Sequence, residues 1–266
     1  IMKLKEKIIR AIPIAIRLMR ERISARVAYR MADKTTGKNV FRRKGYTKRV
    51  LMVSLPAAFK KKLPKYHTSL YEAFEVAKIF DAMGYIVDFT TDNNTGINLK
   101  PYDVIYGGRK VMAEVWRQNI QAKTIFFSPG AHPFFCFEAT VQKNLRVHER
   151  EGRWLTTSSR YLNESLLGYY VDNFADHVIV YGNQYVLDNY LKYDTRKERY
   201  SLLPAFYFNC HQPDIANKDF EGTRHSMCWF GSLGLIHKGL DIAIDIALAH
   251  PEITLHICGA TKRERE

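Results

Sequence analysis

The chain has 266 residues, 46% of them hydrophobic and 26% charged, values that exclude wholesale disorder and leave room for one large or two modest domains. No apolar run approaches the roughly 18 residues that a membrane-spanning helix needs. Four widely spaced cysteines without a CxxC pair exclude a zinc ribbon or a disulfide scaffold and fit a reducing compartment.

The formal net charge of +14 is unevenly placed. Residues 1–50 hold 16 Lys and Arg against three acids, Glu6, Glu21 and Asp33, and the rest of the chain is close to neutral. A nucleic-acid-binding domain would spread its basic charge over a folded face, so this asymmetry argues against nucleic acid as a partner. Lys and Arg repeatedly interrupt the first apolar stretch, which therefore does not read as a signal peptide. Within this arm Ile8, Ile12, Ile16, Met19, Ile23 and Val27 recur at helical spacing, with Arg10, Arg17, Arg20, Arg22 and Arg26 around them. Pro13 marks a start or a kink. A basic amphipathic helix of this kind can lie in the headgroup layer of an anionic membrane, with Ile12, Ile16, Met19, Arg17 and Arg20 facing it. It can equally dock on the protein's own body or on another subunit. Residues 33–48 read as a polar linker, so residues 1–48 form an arm ahead of the globular body.

From Arg49 the pattern changes to short apolar runs alternating with helical stripes. RVLMVSLP (49–56) has the form of a buried parallel strand. Ser69 and Glu72 make a capping box for a helix whose buried stripe is Leu70, Phe74, Ala77, Phe80 and Met83, and Gly84 ends it. Strands are expected at 85–91, 102–108, 122–130, 176–183 and 200–206, with a helix over 109–121 and a mostly helical polar insertion at 138–170. Alternating strands and helices predict a doubly wound α/β domain over 49–206 with a mainly parallel sheet. Ligands in such sheets bind at the carboxyl ends of the strands. LPAAFKKKLPKYHTS, after the first strand, contains no glycine, which makes a dinucleotide-type pyrophosphate turn improbable there.

Residues 207–225 are polar and aperiodic, as a connection between domains is. A second βαβ begins at 226: a strand over 226–232, a helix from His237 to about Ala249, and a strand over 252–259. The loop between strand and helix contains Gly231, Ser232, Gly234, His237, Lys238 and Gly239. Glycines allow a ligand close to the backbone, and the helix that follows aims its free amides at the loop. Lys238 is expected in the first helical turn, where a cation opposes the macrodipole. An anion between Lys238 and the amides would resolve that conflict.

WFGSLGLIHKGLDIAIDIALAHPEITLHICG (229–259) resembles the opening of the donor-binding domain of GT-B glycosyltransferases of the retaining family-four type. Met83-Gly84-Tyr85-x-Val87-Asp88 and Gly130-Ala131-His132 are similar to that family's first domain. The resemblance spans about 49–259, and only 231–241 has the specificity of a motif. It implies two Rossmann-like domains, the second of them (226–266) incomplete, that transfer a sugar from a nucleotide-diphosphate donor to a saccharide or lipid-linked acceptor without a metal or cofactor. By the same resemblance Lys238, Gly231, Ser232 and Gly234 contact the donor diphosphate, and His132 lies by the transferred sugar. Gly130 precedes that histidine, and His67 lies in a loop on the same sheet edge by topology. Where the family often has an arginine in the donor loop, this chain has Ser232. Together with the arm, these features imply a peripheral enzyme on the cytoplasmic face of a membrane. The chain ends after the second strand of the second domain, so a partial chain is expected, without the portion that holds the family's paired glutamates. A non-catalytic, membrane-associated scaffold of the same fold is the alternative reading.

Overall fold

Val50, Leu51, Met52 and Val53 are all buried because the strand they form is covered on both faces, which is why its sequence is continuously apolar instead of alternating. In the computed structural model the described residues are 36–59, 68–154, 171, 173–205, 215–231 and 234–259. They form β1 (Thr36–Gly37), β2 (Lys48–Val53), α1 (Thr68–Ala82), β3 (Tyr85–Thr90), β4 (Val104–Gly107), α2 (Lys110–Arg117), β5 (Lys123–Ser128) and α3 (Pro133–Glu151). These are followed by β6 (His177–Gly182), α4 (Gln184–Tyr193), β7 (Tyr200–Pro204), β8 (Ser226–Phe230), α5 (Leu240–Ala249) and β9 (Thr254–Cys258).

The fold is α/β, with a mostly parallel seven-stranded sheet of Rossmann-like type in the order β1-β3-β2-β4-β5-β6-β7. Strands β2 to β6 pair in parallel. From β2 the chain steps outward to β3 and then back across β2 to β4, so the order reverses between β2 and β4. In such sheets that reversal opens a crevice at the carboxyl ends. On one face Val50, Met52, Val87, Val104 and Tyr106 pack with Ala77 and Phe80 of α1. On the other, Leu51 and Ile105 are fully buried. Each such side chain removed from water contributes about 1.5–3 kcal/mol.

Several elements differ from the sequence expectation. The stretch 33–48 is more than a linker: β1 pairs antiparallel with β3, and the Asn39 amide donates to Asp88 Oδ1 at 2.7 Å. Arg43 grips Asp81 with both ends of its guanidinium, at 2.8 and 2.6 Å. Asp88 is fully buried and also accepts from Arg49 at 2.5 Å and from the Tyr102 hydroxyl at 3.0 Å. Helix α1 already includes Thr68, one residue ahead of the expected cap at Ser69. Gly84, at φ 83°, does end that helix, its amide donating to Asp81 at 3.0 Å. The insertion expected from 138 begins earlier, at Pro133, and residues 155–170 lie outside the described residues.

The chain divides into two compact units. One holds the described residues up to Ser128 with Phe174–Val180 and Glu198–Ser201, and the other holds Pro129–Asn173, Tyr181–Lys197 and the residues from Leu202 onward. The second unit contains α3, α4 and the parallel pair β8–β9, with α5 laid on one face of that pair through Trp229, Leu235, Leu240, Ala243 and Leu255. Among the described residues, no helix is long and apolar enough to cross a membrane.

Candidate functional site

The reversal point in the first unit is closed by backbone contact. Gly107 has φ 87°, and a Cβ there would lie 2.4 Å from the Val53 carbonyl oxygen, so only glycine lets β4 end beside β2. The α2 amides that follow are occupied: Asp92 Oδ1 accepts from the amides of Lys110 at 2.8 Å and Val111 at 3.2 Å. The Lys110 ammonium donates to Asn93 at 2.8 Å, and Arg109 lies over the Phe126 ring. A carboxylate thus already sits where an anionic ligand would bind this helix start.

His132 is the cap of α3. Its Nδ1 accepts from the Phe134 amide at 3.2 Å, Pro133 opens the helix, and the ring is 3% exposed. Tyr193 stacks on it at 4.5 Å between centroids, while Tyr190 and Phe134 meet it edge-on at 5.2 and 5.3 Å. Burial pushes its pKa down from 6.5 to about 4, against a smaller opposing pull from Asp194. The ring is therefore neutral at neutral pH. With Nδ1 accepting, its proton is on Nε2. Gly130 sits two residues before it, its carbonyl accepting from the Tyr190 hydroxyl at 3.1 Å, with open space where a side chain would be. The expected catalytic histidine is thus enclosed by aromatic rings at a helix start.

The glycine loop lies at the carboxyl edge of β8–β9. The Gly231 amide donates to the Cys258 carbonyl at 3.0 Å. Gly259, at φ 91°, brings its backbone so close that a Cβ would lie 1.8 Å from the Gly231 oxygen. The expected helix from His237 starts instead at Leu240, with Gly239 as its cap. Lys238 therefore lies two residues before the helix begins, and its side chain is exposed. The turn amides are satisfied internally: Lys238 donates to Gly234 and Leu235, Gly239 to Ile236 and Leu240 to Leu235. The first turn of α5 carries its own carboxylate, Asp241, 5% exposed and paired with Arg146 at 2.7 Å. These turn amides are thus taken up within the turn, and charged side chains lie beside it.

Those side chains come from α3. Lys143 donates to His237 Nδ1 at 3.2 Å, Arg146 pairs with Asp241, and Arg150 pairs with Asp245 at 2.7 Å. Asp241 and Asp245 thus pair with two arginines one helical turn apart. Lys143 and Arg146 of α3 thus reach His237 and Asp241, on either side of the exposed Lys238 in sequence. Lys143 and Arg146 escape sequence reasoning because they lie 94 and 95 residues from their partners and look like ordinary wet positions of a polar helix. Of the other expected site residues, His67, Ser232 and the arm residues Ile12, Ile16, Met19, Arg17 and Arg20 lie outside the described residues. Among the described residues, no three His, Cys, Asp or Glu side chains are grouped to hold a metal ion.

Comparison with family models, with curated proteins and with solved structures finds no match to this chain.

Proposed function

We propose that the protein is a sugar-nucleotide-dependent glycosyltransferase whose donor diphosphate binds over the glycine loop at the β8–β9 carboxyl edge. The observation that carries this reading is that Lys143 of α3 reaches His237 beside the glycine turn, next in sequence to the exposed Lys238. Two further features support it: the parallel βαβ that the turn belongs to, and the Rossmann-like sheet in the other unit. A diphosphate leaving group gains negative charge as the bond to the anomeric carbon breaks. Fixed cations lower the barrier because they stabilise that charge more in the transition state than in the ground state. The acceptor oxygen then bonds to the anomeric carbon and gives up its proton to the departing diphosphate oxygen. In this arrangement His132 is a positioning residue that fixes the start of α3, the helix that presents Lys143 and Arg146.

The enclosure of His132 also favours the alternative, a non-catalytic, membrane-associated scaffold of the same fold that transfers nothing. Incubating the chain with a panel of nucleotide-sugars and membrane lipid or oligosaccharide acceptors separates the two. Release of nucleoside diphosphate that depends on acceptor supports transfer, whereas binding without release across the panel supports the scaffold.

A further inference from the structure

Strand alternation and register place Cys228 and Phe230 of β8 on the same side of the small sheet as His256 and Cys258 of β9, opposite the face that α5 covers. Phe230 is 85% exposed there, and both cysteines are exposed. The two sulfurs, 30 residues apart in sequence, lie 3.8 Å apart. That spacing discriminates between chemistries. A disulfide requires about 2.05 Å, so forming one would have to draw the sulfurs together by nearly half their separation. Two thiolates on one tetrahedral zinc-class ion, with metal–sulfur bonds of about 2.3 Å, stand about 3.8 Å apart and need no such movement.

We propose that Cys228 and Cys258 form a two-thiolate site for a thiophilic divalent cation of the zinc class. Binding replaces two S–H bonds with two sulfur–metal bonds and releases two protons to solvent, with no change of oxidation state. Water or a small ligand completes the coordination, consistent with the lack of a third grouped protein ligand among the described residues. Thiolate softness selects this class over magnesium or calcium. The Cys258 carbonyl already holds the Gly231 amide, so an ion on the two sulfurs pins together the strand ends that carry the glycine turn. The site stands independently of the glycosyltransferase reading.

The test uses the full chain with Cys136→Ser and Cys210→Ser, titrated with cadmium and followed by its ultraviolet sulfur-to-metal absorption. One ion per chain with the absorbance of two thiolates is expected, and Cys228→Ser or Cys258→Ser should each halve that absorbance and weaken binding at least tenfold. In the unsubstituted chain, zinc should protect Cys228 and Cys258 together from alkylation while leaving Cys136 reactive, a readout that needs no variant to fold. A single-thiolate absorbance, protection of only one or neither of the pair, or a spontaneous disulfide between them in reductant-free buffer would overturn the proposal.

Discussion

His132 shows how one side chain can serve a helix and respond to pH at once. Its neutral Nδ1 accepts the Phe134 amide inside a ring of aromatic side chains. Protonation would turn that acceptor into a donor facing another donor. Because the folded-state pKa lies near 4, below the ordinary 6.5, the unfolded chain takes up the proton first as pH falls. The resulting stability is complete above about pH 6.5 and is lost as pH drops towards 4. The pKa difference corresponds to about 3 kcal/mol over that window. His132→Asn keeps an acceptor at the cap but does not titrate, so the urea midpoint of this variant should change less than that of the parent chain between pH 6.5 and 4. Parallel pH profiles for the two would show that the histidine is not the titrating group. The sequence marked His132 through its Gly-Ala-His setting, but the same residues have a local explanation: His before Pro at a helix start. The competing signal, Pro133 at the first helical position, outweighs the apparent loop character of the stretch.

At the scale of elements, the two ion pairs between α3 and α5 look alike on paper and differ in energy. Arg150 and Asp245 are both substantially exposed, so solvent screens their attraction, and such pairs contribute about 0–1 kcal/mol. Asp241 is buried, and its Oδ1 has no hydrogen-bond partner, so its charge depends on Arg146. Removing one partner of a buried pair costs roughly 3–5 kcal/mol, less here because Arg146 is half exposed. Arg146→Ala should therefore lower stability by about 2–3 kcal/mol and speed hydrogen exchange in α5, while Arg150→Ala changes little. Equal effects from the two would remove the distinction between buried and exposed rungs. The strands were legible because a sheet covered on both faces demands continuous apolar runs, and Lys48–Val53, Val104–Gly107 and His177–Gly182 fall inside the expected ranges or within one residue of them. Strand β1 was not legible: two residues, one of them glycine, carry no period. Asp92 capping α2 was equally hidden, because a cap supplied from another loop leaves no trace beside the helix it serves. The start of α5 was misplaced because a satisfied turn precedes it, and that turn has the same apolar spacing as helix.

Charge is concentrated toward the start of the chain: residues 1–35 carry a formal net charge of +7, as much as the 231 residues that follow. Residues 36–48 belong to the body, as the β1–β3 pairing and the Arg43–Asp81 grip show, so a deletion that isolates the arm should stop at residue 35. Each Lys or Arg near an anionic bilayer contributes about 1 kcal/mol, and salt screens that attraction. Co-sedimentation with phosphatidylserine-containing vesicles is expected for the full chain at low salt and should be lost on removing residues 1–35 with circular dichroism of the body retained. Arm-dependent binding to duplex DNA with none to vesicles would reverse the assignment. The sequence singled out the loop at 231–239. It could not show that Lys143 lies beside it, because Lys143 reaches His237 only through tertiary packing.

The account stands or falls on whether that loop binds a diphosphate through those side chains. A charge-assisted contact is worth about 1.5–3 kcal/mol, roughly 10–100-fold in affinity. Calorimetric titration of the chain with uridine, guanosine and adenosine diphosphates should therefore show one of them binding at a single site, with Lys143→Ala and Lys238→Ala each weakening it at least tenfold and Arg150→Ala leaving it unchanged. Binding of none of the three, or binding that neither lysine affects, would contradict the assignment of this loop.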